Sequence, residues 1–298
     1  MASLALAWDL AGGTQGLSRL GAADPGWLAL ALASTVPMQL LSAARWAFTA
    51  QRLGATLDAA TAVREYYVAS LLNATMPAGM AGDALRAWRH GRAGAGRLRV
   101  AVHAVVIERA AGQVALAVVV LAGVALAIGG GAERAAPLGL VVVGLAVAVV
   151  AVVGLAALGT RPRRALAALG ADAARAFWPA GPLLTQVALS AAVIACYLGC
   201  FAAVAGALGV ALGPLALLLG VPAVLYAMAL PVSIGGFGLR EVAAAAAWPL
   251  LDRPPADGVL CALVYGLVVL AGSLPGAVVL AVDRQAARSQ SNSTSGPI

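Results

Sequence analysis

Eight ionisable side chains lie within or beside long apolar stretches of this sequence: Arg45, Glu65, Asp83, Arg86, Glu108, Arg109, Arg240 and Glu241. At membrane depth such groups cost at least a few kcal/mol each, so those that persist face a protein interior and pair with one another. Asp83 and Arg86 are three residues apart and share a helix face. Glu108 and Arg109 are adjacent and point about 100° apart on a helix, so each needs its own partner. Guanidinium forks grip phosphate through two parallel hydrogen bonds. This combination predicts a cavity in which Arg86, Arg109 and Arg240 hold a phosphate or other anionic head group. Asp83, Glu108 and Glu241 then orient those arginines or meet a cationic part of the ligand. Arg45, Tyr67, Asn73 and Tyr226 are secondary candidates near the same place. The competing reading is a set of structural ion pairs and snorkelling side chains.

Other chemistry finds little support. No nucleophile, base and orienter stand in a recognisable arrangement, and neither a phosphate-cradling glycine loop nor a dinucleotide fingerprint occurs. Cys196, Cys200 and Cys261 lie in apolar stretches, and with His90 and His103 they form no zinc or redox spacing. The sequence therefore predicts no catalytic residue, no metal and no cofactor. The net charge is +7, and all 19 basic residues are arginine. That suits phosphate binding but equally reflects a GC-rich coding sequence; no nucleic-acid partner is expected.

The elements that position these residues must be membrane helices. Of the 298 residues, 62% are hydrophobic and 10% charged, against about a quarter charged in a soluble domain. Candidate spans cover residues 27–50, 60–76, 100–128, 138–158, 183–210, 213–230, 236–250 and 258–282. The fold class is an all-α integral membrane protein, a polytopic bundle of about seven or eight segments. Residues 86–99 carry Arg86, Arg89, Arg92, Arg97 and Arg99 without an acid, and 159–178 carry Arg161, Arg163, Arg164 and Arg175 against Asp172 alone. Both are assigned to the cytoplasm. The loops at 129–137 and 251–257 read as external, which leaves the C-terminus inside. The segment 161–178 is helix-like, with a position along the inner leaflet as one reading and a plain connector as the other.

Two stretches echo each other: MPAGMAGDALRAW at 76–88 and LPVSIGGFGLREV at 230–242. Pro77, Gly82, Leu85 and Arg86 align with Pro231, Gly236, Leu239 and Arg240 at one constant offset. A helix that stops at proline, passes through glycines and restarts with an arginine is the sequence form of a broken membrane helix. The residues placed at the breaks are Pro77, Gly79, Gly82, Pro231, Gly235, Gly236 and Gly238. Matching breaks in two halves of a transporter point to its binding site. The sequence leaves the symmetry open: four intervening spans keep the halves parallel, whereas a re-entrant segment at 60–90 or 231–250 inverts them. The expected organisation is one transmembrane domain over 1–284, with half one at 27–158, a cytoplasmic connector at 159–181 and half two at 182–284. Residues 285–298 read as a polar, disordered tail, and the apolar N-terminus as a short interfacial helix rather than a removed signal.

In these same residues the chain resembles the lysylphosphatidylglycerol synthase transmembrane region family, flippase-like membrane proteins similar to the membrane part of multiple peptide resistance factors. The matching pieces are Arg45-Trp46, Tyr67 and Asn73 ahead of PAGMAGDALRAW, Ile107-Glu108-Arg109, and PVSIGGFGLRE, in the family's order across 27–282. The resemblance implies a bacterial inner-membrane bundle that binds or flips phospholipids or polyprenyl-linked lipids. It does not imply synthesis, because no soluble aminoacyl-transfer domain follows residue 282. The leading expectation is a lipid translocase whose partners are anionic or phosphate-bearing membrane lipids. The alternatives are an accessory subunit for a lipid-modifying or glycosyl-transfer enzyme in the membrane, and a membrane-embedded lipid enzyme. Oligomeric state is left open.

Overall fold

The computed structural model describes residues 14–77, 79–92, 97–144, 147–148, 162–178, 180–230 and 233–294. Among these, regular structure is helical throughout, apart from one isolated antiparallel bridge between Pro77 and Ile234. The helices are α1 (Thr14–Gly21), α2 (Pro25–Arg52), α3 (Ala59–Thr75), α4 (Ala81–Gly91), α5 (Arg97–Gly129), α6 (136–144), α7 (Pro162–Phe177), α8 (Ala180–Ala207), α9 (Ala216–Ala229), α10 (Leu239–Ala247), α11 (Pro255–Ser273) and α12 (Pro275–Thr294). The proposed N-terminal interfacial helix falls largely outside the described residues, as do Pro231 and much of the 138–158 span.

Four helical stretches are long and apolar enough to cross a bilayer: α2 with 28 residues, α5 from Leu98 with 32, α8 with 28, and α11 running into α12 with 31. At 1.5 Å per residue each exceeds the ~30 Å hydrocarbon core. Three of the other expected spans are shorter elements. Residues 60–76 form the 17-residue α3, 213–230 form α9, and 236–250 form the nine-residue α10. The cause lies in the chain itself, since the described residues between α3 and α4 and between α9 and α10 are non-helical and include Pro77, Gly79, Gly235, Gly236 and Gly238, four of them at positive φ. The opening turns of α9, Ala216–Gly220, are π-helical just ahead of Pro222, which has no N–H to offer. At the far end α12 runs on to Thr294, so the backbone of 285–294 is helical where the polar composition predicts disorder. The QAAR stretch has good helix formers that let α12 propagate outward.

The helices pair in a regular way. α2 packs antiparallel along α8, with small buried residues such as Ala31 and Ser42 on α2 and Ser190, Ala203 and Ala205 on α8. α4 folds back on α3, and α10 folds back on α9. One end of the bundle gathers the start of α2 and the end of α8, where Asp24 N–H donates to the Ala207 carbonyl at 2.9 Å. Arg19 meets Asp257 at the same end at 2.7 Å. At the other end Arg52 donates to the carbonyls of Arg175 and Trp178, and Asp283 takes Arg64 and Arg89. The outer faces of α2, α5 and α8 expose Leu30, Val36, Val114, Val118, Leu184 and Val187, the surface that faces lipid.

Candidate functional site

The first break is built around Asn73. Its Oδ1 accepts the Gly82 N–H at 2.8 Å, satisfying a bare donor in the first turn of α4, whose own cap residue Met80 offers no side chain for the purpose. Gly82 is thus inside α4 rather than at the break, and glycine is required there for another reason. Any Cβ at 82 would collide with the Ala69 carbonyl, so its absence lets α4 lie against α3. The break glycines proper are Gly79, Gly235, Gly236 and Gly238, all at positive φ (58°, 57°, 80° and 91°). Gly235 also presses on the Ala74 carbonyl, so the second break seats on the end of α3 one residue from the Pro77–Ile234 bridge. The two breaks therefore touch.

Just beyond this seam the charges form a chain. Glu108 on α5 accepts from Arg45 Nε at 3.0 Å and, through its other oxygen, from Arg86 Nη2 at 2.9 Å. Arg86 also donates through Nε to Asp83 at 3.0 Å, and Arg109 reaches the same carboxylate at 2.8 Å. Arg45, Arg86 and Glu108 are buried, Asp83 nearly so, while Arg109 keeps 34% of its side chain exposed and forms the open end. Three guanidinium groups against two carboxylates leave one net positive charge. Pairing compensates the loss of water that would otherwise expel these groups from lipid.

Aromatic rings and a glycine complete the setting. The Arg86 guanidinium lies between Trp46 and Tyr66, 4.7 and 4.8 Å from their ring centroids. Gly112, one helical turn from Glu108, leaves the room that the Arg45 guanidinium occupies, and Arg45 Nη1 donates to Ser190 Oγ on α8 at 3.4 Å. Two buried donors in the chain, Arg86 Nη1 and Arg109 Nε, have no hydrogen-bond partner.

Arg240 stands apart from the other arginines with which the sequence groups it. It pairs with its neighbour Glu241 at 2.7 Å, and Glu241 in turn accepts the Gly238 N–H at 2.6 Å, capping α10. Its guanidinium lies 3.7 Å from the Phe237 ring centroid and fills the gap left by Gly266. Among the described residues no hydrogen bond joins this pair to the Asp83–Glu108 chain. Tyr226 donates to the Gln113 carbonyl at 2.7 Å, an interhelical tie rather than a contact with the charges. Tyr67 has its backbone against Gly276 on α12, and among the described residues no hydrogen bond joins its side chain to the charges. The adjoining Tyr66 is the aromatic that the cluster uses. Trp46 stands in the sequence only as half of the Arg45-Trp46 piece and not as a site residue, and Gly112 and Gly266 are not singled out there, although each lies within one helical turn of a charged or tyrosine residue.

Within the described residues no group of three or more His, Cys, Asp and Glu side chains converges as a metal site. His103 and Asp172 form a buried pair at 2.7 Å that ties α5 to α7, with Arg175 on the other Asp172 oxygen at 3.3 Å.

Compared with known proteins, residues 1–276 match the family model described as lysylphosphatidylglycerol synthase TM region, and the chain belongs to that family. It is accordingly a multi-pass membrane protein of flippase-like type. No curated protein and no solved structure matches it.

Proposed function

We propose, from its place in the lysylphosphatidylglycerol synthase transmembrane region family, that this chain binds lipid head groups and carries them between leaflets of a bacterial inner membrane. The observation that carries the reading is the Arg45–Glu108–Arg86–Asp83–Arg109 chain, charged in excess and open at Arg109, set beside the contact of two helix breaks. Arg86 and Arg109 take the anionic part of the head group, while Asp83 and Glu108 hold them in place. Arg240, with Glu241, supports the second break from its own pocket.

The same geometry favours an inverted repeat. With the arginine-rich end cytoplasmic, α3 and α4 form a hairpin that enters from the cytoplasm and returns there. α9 and α10 form one that enters from outside and returns outside. Each follows a crossing helix, α2 or α8, and precedes another, α5 or α11, so the two units run in opposite directions. The tips meet at Pro77 and Ile234. Broken backbone is tolerated at that depth because each tip is covered by the other. The C-terminus is then cytoplasmic.

The test is leaflet-to-leaflet transfer of fluorescent phospholipids in liposomes carrying the full chain, as wild type and as Arg109→Gln. Transfer that falls by an order of magnitude or more in the variant supports the reading. A folded wild-type protein that moves no lipid class overturns it in favour of an accessory subunit.

A further inference from the structure

If the arginine chain is the head-group site, its acids define what kind of head group it accepts. An aminoacylated lipid presents an ammonium, which at membrane depth needs a free carboxylate or an open aromatic face. Among the described residues, the carboxylates of the site are taken. Asp83 is shared by Arg86 and Arg109, Glu108 by Arg45 and Arg86, and Glu241 by Arg240 and the Gly238 N–H. Glu65 alone keeps a buried oxygen without a partner, but its other oxygen holds Arg89, which also reaches Asp283 at the cytoplasmic end.

The aromatic rings that touch these arginines are engaged as well. Trp46 and Tyr66 enclose the Arg86 guanidinium, and Phe237 lies under Arg240. What remains unsatisfied among the charged groups of the cluster is of the opposite kind: the donors Arg86 Nη1 and Arg109 Nε, on two guanidinium groups that share Asp83, with Glu108 as the second counter-charge of Arg86. An incoming ammonium would meet a net positive charge and, among the described residues, no free carboxylate in the cluster, only neutral amide oxygens such as Gln113 Oε1. A phosphate oxygen would meet that charge and two waiting donors.

We infer that the site selects phosphate-bearing head groups of net negative charge that lack an ammonium, and discriminates against aminoacylated lipids, although the family is named after a lysyl lipid. The inference rests on the reading of the arginine chain as a head-group site. Selectivity arises because the acids are committed to fixing arginines, so the binding surface is left purely cationic.

The experiment is displacement of a fluorescent phosphatidylglycerol from the purified full chain in detergent by phosphatidic acid, phosphatidylglycerol and lysylphosphatidylglycerol. The lysyl lipid should compete about tenfold more weakly or worse, a difference of about 1.4 kcal/mol. Arg109→Gln should weaken probe binding and flatten the preference, while Arg109→Lys, which keeps the charge on Asp83, should retain part of both. Equal or stronger competition by the lysyl lipid, lost in Arg109→Gln, would overturn the selectivity and leave the site in place. Probe binding indifferent to both substitutions would overturn the site and the selectivity together.

Discussion

Gly266 lies against the guanidinium of Arg240 so closely that a side chain at 266 would occupy the volume the guanidinium fills. Gly112 stands in the same relation to Arg45, with a Cβ there falling 3.1 Å from both terminal nitrogens. In each half of the chain a glycine on a crossing helix makes room for a buried arginine. Gly266→Ala should therefore destabilise the protein by about 1–3 kcal/mol, as overpacking does. Gly112→Ala should cost less, because a guanidinium end gives way more readily at that distance. Thermal unfolding of the two variants in one detergent checks the order.

Glu108 is the counter-charge of both Arg45 and Arg86. Glu108→Gln leaves two buried guanidinium groups short of a partner and should cost about 3–5 kcal/mol. Adding Arg45→Gln to Glu108→Gln should give a loss smaller than the sum of the two single losses, because one excess charge has gone. A double-mutant cycle on unfolding midpoints measures the coupling; strict additivity would contradict the pairing described.

Pro77 and Ile234 face each other across an antiparallel bridge, where Cα atoms stand about 4.5–5.5 Å apart, within disulfide reach. Pro77→Cys with Ile234→Cys, in a background where Cys196, Cys200 and Cys261 are replaced by Ala, should form an intramolecular disulfide under mild oxidation. Peptide mapping under non-reducing conditions detects it. The same bond should lower lipid transfer if the tips separate during transport.

The His103–Asp172 pair fastens α7 to α5, and among the described residues no hydrogen bond joins it to the arginine chain. His103→Ala should raise hydrogen exchange across Pro162–Phe177 and leave the order of lipid preference unchanged. A shift in preference would tie the connector to the site.

Much of this was legible before any coordinates. Ionisable residues in apolar surroundings are costly enough to stand out, so Asp83, Arg86, Glu108 and Arg109 could be grouped by charge alone, and the structure joins them. Arg240 was grouped with them by the same reasoning, yet it pairs locally with Glu241, a choice that depends on the turn at Gly238 and not on residue type. The breaks were visible as proline and glycine, whereas the lengths of the helices around them were not. Apolar composition continues through α9, the break and α10, so hydropathy alone reads two crossings where two short helices pack side by side. Tyr66 was passed over for Tyr67 because neighbouring aromatics differ only in the direction each faces. The glycines that cradle Arg45 and Arg240 lie among many others placed for close helix packing.

The contact between the two breaks also bears on how the protein is made. The ribosome delivers Pro77 long before Ile234, so α3 and α4 emerge with an open seam and no strand to close it. Backbone groups left bare in lipid are costly. Until the second half arrives, that hairpin must stay at the aqueous edge or under the cover of the insertion machinery. In the proposed inverted arrangement its final depth is set only when α9 and α10 come in from the opposite side, so the first half would settle late in biogenesis.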